Sequence, residues 1–183
     1  MATIPSPSWA MRFIQLAEIF ASYSKDPSTK VGAVAISPDR RIIIPGYNGF
    51  PAALQDLPSR LENRDQRLKF TVHAEENVLI TLRSLLPPTS PSIKGWTLFT
   101  THHPCSKCAL ALLNSPIDTV IYSTSPSTAD FELRWREDLS VSSDILEEGN
   151  IGLFSAQLEP RSLLITDRHN PDHFYAHPLT PNH

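Results

Sequence analysis

Apolar positions along the chain fall into two periods. Trp9, Phe13, Leu16, Phe20 and Tyr23 recur at alternating spacings of four and three, the stripe of an amphipathic helix that Asp26-Pro27 stops. VGAVAIS from Val31 and RIIIPGY from Arg41 are β-branched runs separated by Pro38-Asp39, which predicts a hairpin of buried strands, with Asn48-Gly49 as the next turn. Residues 51–72 carry Arg60, Glu62, Arg64, Asp65 and Arg67, a charged connection with room for a short helix; its simplest reading is a solvated surface. A helix opens at His73 and gives way to the loop LLPPTSPS, followed by the strand WTLFT from Trp96. A second helix starts near Pro104 and ends at Ser115-Pro116, and IDTVIYS is the next strand. Phe131, Trp135, Leu139 and Leu146 share one face of a later helix that stops near Gly149-Asn150, and IGLFSA is a further strand. Strands alternating with helices predict an α/β sheet with helices on its faces. Residues 1–158 form the expected domain, and 159–183, rich in Pro and His, are expected as a tail that docks on the surface or is partly disordered.

Composition narrows the partners. The 183 residues are 40% hydrophobic and 19% charged, enough for one buried core. A formal net charge of −3 leaves no basic footprint for nucleic acid and favours a small-molecule partner. The N-terminus shows no signal-peptide pattern and no run has the length of a membrane span, so a cytoplasmic location is expected. The two cysteines, Cys105 and Cys108, sit in CSKC, a metal or redox pair rather than a disulfide framework.

The stretch TVHAEENVLI crowds its charge into the first turn of a helix, ahead of Val78, Leu79 and Ile80, so it is either a cap or a site. His73-Ala74-Glu75 and Pro104-Cys105-Ser106-Lys107-Cys108 each open an apolar helix after an extended segment. One imidazole and two thiolates make three ligands for a tetrahedral Zn2+ and leave the fourth position for water. Both groups lie where free N–H groups and the helix dipole favour thiolates and anionic oxygen. Glu75, two positions past His73, is placed as a general base that does not ligate. H-x-E with P-C-x-x-C is the spacing used by zinc nucleobase deaminases. A thioredoxin-like dithiol is the competing chemistry, and it has no use for the HAE segment upstream.

At these residues the chain resembles the cytidine/deoxycytidylate deaminase superfamily, and most closely the dCMP deaminases. The likeness runs from Trp9 to about Phe154 and includes SKDPSTKVGAV from Ser24, GYNGFP from Gly46, LENRDQRLKF and Trp135. It implies a three-layer α/β/α fold with a mixed central sheet, and hydrolytic deamination of dCMP to dUMP with Glu75 moving the protons. It further implies that Asn48 reads the sugar, that Val31 packs on the base, that Ala74 also meets substrate, and that Ser24 and Lys25 lie near the phosphate. A homo-oligomer responding to dCTP and dTTP is implied as well.

The chain departs from the family pattern in places. Thr101-His102-His103 is more polar than usual before Pro104; His103 is a candidate substrate contact, and an exposed loop pair is the simpler reading. Ser115-Pro116 replaces a usual glycine, and His169, His173, His177 and His183 fit no compact ligand set. Other chemistries of the same motif are deamination of tRNA adenosine, of free cytidine or of guanine. A zinc-stabilised binding module without catalysis is the alternative from another class.

Overall fold

The computed structural model describes residues 6–86, 94–159, 162–169 and 174–178. In chain order these form α1 (Pro7–Ala21), β1 (Gly32–Ile36), β2 (Ile43–Tyr47), α2 (Pro58–Glu62), α3 (Arg64–Phe70), α4 (Ala74–Leu85), β3 (Trp96–Thr100) and α5 (Ser106–Leu113). The chain continues through β4 (Ile117–Thr124), α6 (Pro126–Arg134), α7 (Arg136–Glu148), β5 (Gly152–Glu159), β6 (Ser162–Asp167) and β7 (Phe174–Pro178). The strands make one mixed sheet in the order β2-β1-β3-β4-β5-β6-β7, parallel across β3-β4-β5 and antiparallel elsewhere.

Alternation along the strands builds the three layers. Ala33, Ala35, Leu98, Val120, Tyr122 and Leu153 face α4, α5 and α7, whereas Val34, Ile36, Phe99, Ile121 and Phe154 face α1. Since both faces are covered, β1 and β3 are buried at every position, which is why they read as continuous apolar runs. The α/β/α arrangement with a mixed sheet agrees with the expected fold.

Several elements differ from the sequence pattern. The buried face of α1 is Ala10, Phe13, Ile14, Ala17 and Ala21; of the expected stripe Phe13 is buried, Leu16 and Phe20 pack partly buried against the same core, and Trp9 and Tyr23 are exposed. Alanines let the helix lie close on the sheet, where a Cβ on Gly32 would fall 2.0 Å from the Ala17 carbonyl oxygen. The aromatic rings flank that contact, with Tyr23 edge-on to Tyr47 at 6.0 Å. β2 is an edge strand with alternating exposure, not a buried one, as Pro45 in its middle requires. The single late helix is two, broken at Trp135, whose φ −109°, ψ 13° lies outside helical geometry. Residues 162–167 and 174–178, expected within a docked or partly disordered tail, pair as strands beyond β5, where the apolar run LLI and Thr166 follow Pro160 in the sequence. The LLPPTSPS loop lies largely outside the described residues.

Topology brings three chain segments to one end of the sheet. β1 runs antiparallel to both neighbours, so its start at Gly32 lies beside Tyr47 at the end of β2, and Ala33 lies beside Thr100 at the end of β3. Val31, Asn48 and the residues after Thr100 therefore meet at that edge. α4 is pressed against β2 there: a Cβ on Gly46 would fall 2.5 Å from the Ala74 carbonyl oxygen and 2.8 Å from Val78 Cγ2. Gly46→Ala should thus displace the first turn of α4 and lower stability by about 1–3 kcal/mol, an overpacking cost read by urea denaturation.

Candidate active site

Asn77, in the second turn of α4, donates from Nδ2 to the Tyr47 carbonyl at 2.8 Å. Gly49 and Val72 exchange backbone hydrogen bonds of 3.1 and 2.9 Å, which hold the Asn48-Gly49 turn against the segment entering α4. His73 is the N-cap of α4, and its backbone N–H donates to Glu76 Oε2 at 3.1 Å. The question posed by the charged first turn has a double answer. Glu76 caps the helix, and Glu75 turns inward, 4% exposed, with its Oε2 3.5 Å from Cys108 Sγ.

On the neighbouring strand, the backbone N–H of Thr101 donates to the Gly32 carbonyl at 3.0 Å, and its hydroxyl oxygen accepts from Gly32 N–H at 3.1 Å. Past that anchor Cys105 is the N-cap of α5 and Cys108 lies in its first turn, fully buried. His73 Nδ1 lies 3.5 Å from Cys105 Sγ and 3.4 Å from Cys108 Sγ, and the three atoms lie within 4.8 Å of one another. A tetrahedral zinc with ordinary bond lengths needs N···S edges of about 3.6 Å, so the donor set fits the ion in both chemistry and spacing.

The electrostatics of the three groups agree. His73 is pushed up to about 9, first by its hydrogen bond with Cys105 and then by the charges of Glu75 and the thiolate, against the effect of burial. Cys105 is pulled down to about 4, first by its hydrogen bond with Cys108, while Cys108 is pushed up by the same contact and by burial. Protons and a dication compete for the same three atoms, and without the ion the negative charge settles on Cys105 while Cys108 and His73 keep their protons. Burial pushes the Glu75 carboxyl up, so this acid holds a proton more readily than an exposed one.

A pocket of about 330 Å³ opens over these groups, within the range of small-ligand sites. Val31, Asn48, Ala74 and His103 line it together with His73, Glu75 and Cys105. Asn48 is 7% exposed; its Oδ1 accepts from Val31 N–H at 2.8 Å and its Nδ2 donates to the Thr29 carbonyl at 2.9 Å, so it also braces the loop before β1. His103 is buried rather than an exposed loop residue, with Nδ1 2.8 Å from the Pro104 carbonyl and Nε2 3.2 Å from Ser143 Oγ. Burial pulls His102 and His103 each down to about 4.

Ser24 and Lys25 stand outside the lining. Ser24 is buried, with Oγ accepting from Asp26 N–H at 3.2 Å, and Lys25 is exposed and ion-paired with Asp56 at 2.7 Å. The residues of that loop that do reach the pocket are Asp26, Ser28 and Thr29, with Asp26 at the centre of the loop's hydrogen bonds. Asp26 Oδ1 accepts from Ser28 and Thr29 N–H at 2.7 and 3.0 Å, and its Oδ2 lies 3.2 Å from Nε of the buried Arg67. Arg64, Lys107, Phe131, Arg134 and Trp135 also line the pocket and were not singled out as site residues. Arg64 and Arg67 come from the segment that composition assigns to a solvated surface; only the turn of α3 back toward Asp26 distinguishes them.

A donor set of this kind at two helix starts, beneath an α/β/α sheet, defines a zinc-binding hydrolase. Residues 7–124 match the family described as the cytidine and deoxycytidylate deaminase zinc-binding region, and the chain belongs to that family. It is 37% identical over 143 residues to a protein of Aliivibrio fischeri described as an uncharacterized deaminase in the luxG 3′ region, covering 78% of this chain and 90% of that one. It is 33% identical over 119 residues to the deoxycytidylate deaminase of Mus musculus, covering 62% of this chain and 64% of that one. The dCMP deaminase of cyanophage S-TIM5 shares the fold at a TM-score of 0.60 and 23% identity, over 84% of this chain and 100% of that one. Among the described residues no helix is long and apolar enough to cross a membrane.

Elemental analysis should find one zinc per chain, and Cys105→Ala should lose it together with stability, since the ligands tie α4 to α5. Arg67→Ala should destabilise by about 3 kcal/mol, because it strands the largely buried carboxylate of Asp26; a denaturation midpoint within error of wild type would show the pair to be inert.

Proposed function

We propose that the chain hydrolyses the 4-amino group of a cytosine nucleotide, dCMP to dUMP and ammonia, with Glu75 as the proton carrier. The observation behind the reading is the buried Glu75 carboxyl, 3.5 Å from Cys108 Sγ and lining the same pocket as His73 and Cys105. Zinc, when bound by His73, Cys105 and Cys108, supplies Lewis-acid activation of water at neutral pH. Glu75 accepts one proton from the attacking water and delivers it to ring N3 as the new C4–O bond forms. It then carries the second proton to the exocyclic nitrogen, so that the C4–N bond breaks and ammonia leaves. Burial makes this carboxylate a stronger base than an exposed one, which suits it to take the proton from water. Asn48, braced between Thr29 and Val31, presents a fixed amide toward the sugar, and Val31 and Ala74 offer apolar contact to the ring.

The nucleotide level is supported by charge. Arg64, Lys107 and Arg134 line the pocket, and none of the three is ion-paired among the described residues, whereas Lys25 is committed to Asp56. A 5′-phosphate gives those cations charge-assisted hydrogen bonds that a nucleoside cannot make. The 33% identity to the deoxycytidylate deaminase of Mus musculus supports the same substrate.

Ammonia release should be measured over dCMP, deoxycytidine, guanine and a tRNA anticodon stem. The highest kcat/KM is expected for dCMP; a preference for any other member overturns the substrate, and no ammonia from any of them overturns catalysis. Glu75→Ala should retain zinc and fold and lose about 10²–10⁴ or more in kcat, because one residue serves both transfers. Arg134→Ala or Lys107→Ala should raise KM for dCMP about tenfold while leaving deoxycytidine turnover unchanged, and Lys25→Ala should do far less.

A further inference from the structure

The segment that carries Cys105 is bolted to α7 by hydrogen bonds at successive residues. Asp138 Oδ2 accepts from Ser106 N–H at 3.0 Å, and its Oδ1 accepts from Ser106 Oγ at 2.6 Å. The fully buried hydroxyl of Ser142 donates to the Pro104 carbonyl at 2.8 Å. The same carbonyl lies 2.8 Å from His103 Nδ1, and since a carbonyl has no proton to give, Nδ1 must carry the hydrogen. That tautomer leaves Nε2 as an acceptor, 3.2 Å from Ser143 Oγ, whose hydroxyl is shared with the Leu139 carbonyl at 3.0 Å. Asp138 and Ser142 stand at i and i+4, on the one side of α7 that meets Pro104 and Ser106, and Ser143, one position further round, meets His103. The rest of that buried side is apolar, with Leu139 and Leu146.

We infer that α7 braces the metal site from behind its ligands: Asp138 and Ser142 are positioning residues that hold the Pro104–Ser106 segment so that Cys105 presents its sulfur to His73 and Cys108. Asp138 acts at the backbone N–H next to Cys105, at the first position of α5, where a carboxylate also complements the helix dipole. Ser142 acts one residue to the other side, at Pro104. Cys105 is therefore pinned on both flanks, whereas His73 is pinned by the cap from Glu76. The family match ends at residue 124, before α7 begins, so this support lies outside the segment that the family description covers. Outer contacts of this type commonly change metal affinity by about 10–100-fold.

The same two-helix unit reaches the substrate pocket. Phe131 and Arg134 in α6, Trp135 at the break, and Asp138 and Leu139 in α7 all line it, and the Phe131 ring stands edge-on to His102 at 4.8 Å. The unit that contacts substrate thus also sets the geometry of one ligand.

Zinc release from the holoenzyme to a chromogenic chelator tests this, at a temperature well below melting and without substrate. Asp138→Ala and Ser142→Ala should each release zinc faster, Asp138→Ala by about tenfold or more. Asp138→Asn keeps an acceptor for Ser106 N–H and should recover most of the difference. Leu146→Ala removes a buried side chain of α7 that touches none of residues 103–106 by hydrogen bond, so it should lower thermal stability with zinc release unchanged. The inference is overturned if Asp138→Ala releases zinc at the wild-type rate, or if Leu146→Ala accelerates release as much as Asp138→Ala does; either result makes α7 an ordinary packing helix.

Discussion

Two helix starts must stop within a few ångströms of each other, and most of the molecule serves that requirement. His73 and Cys105 are separated by 32 residues in the chain, yet their side chains lie 3.5 Å apart. Nothing local brings them together. The antiparallel setting of β1 between β2 and β3 does, because it places the end of β2, the start of β1 and the end of β3 on one edge of the sheet. Gly46 then allows α4 to lie hard against β2, and Thr101 locks the strand that leads to Cys105. With two N-termini aimed at one point, the positive ends of the helix dipoles face the three donor atoms, and Cys105 is shifted toward thiolate.

The same constraint divides labour between adjacent residues. Glu75 and Glu76 are identical in type and neighbours in sequence, and a rotation of about 100° round the helix sends one into the pocket and the other back to the His73 N–H. Burial shifts the first toward holding its proton, whereas the second serves only as an acceptor for the backbone. A polar first turn therefore caps its helix and also delivers a carboxylate to the pocket.

What could be read in the sequence follows from which interactions are local. The metal set and Glu75 are legible because each half is a short motif at a helix start, and the strands are legible because burial on both faces makes them continuous apolar runs. The inner face of α1 was legible only in part: alanines carry the contact with Gly32, and small residues leave no periodic signal beside larger aromatic neighbours. The break at Trp135 was missed because the apolar spacing continues through it. β6 and β7 were hidden by flanking prolines and histidines. Placing Ser24 and Lys25 at the phosphate followed the family pattern, but the pairing of Lys25 with Asp56 depends on a residue 31 positions away and had no local sign.

The pocket wall explains why its residues look like surface. Under the proposed function the pocket takes an anionic, hydrated ligand and has to admit water and offer cations, which suits the exposed positions of Arg64, Lys107 and Arg134. Arg67 differs from them only in its partner: Asp26 neutralises it, and the pair is buried. Charge that is already paired shapes the loop before β1, and charge left unpaired remains to meet a ligand. Distinguishing the two requires knowing which carboxylates the fold brings near each cation, a property of the sheet topology and not of any stretch of sequence. The substrate side of such a site is accordingly less legible than its metal side, where the ligands must be few, close and attached to rigid elements.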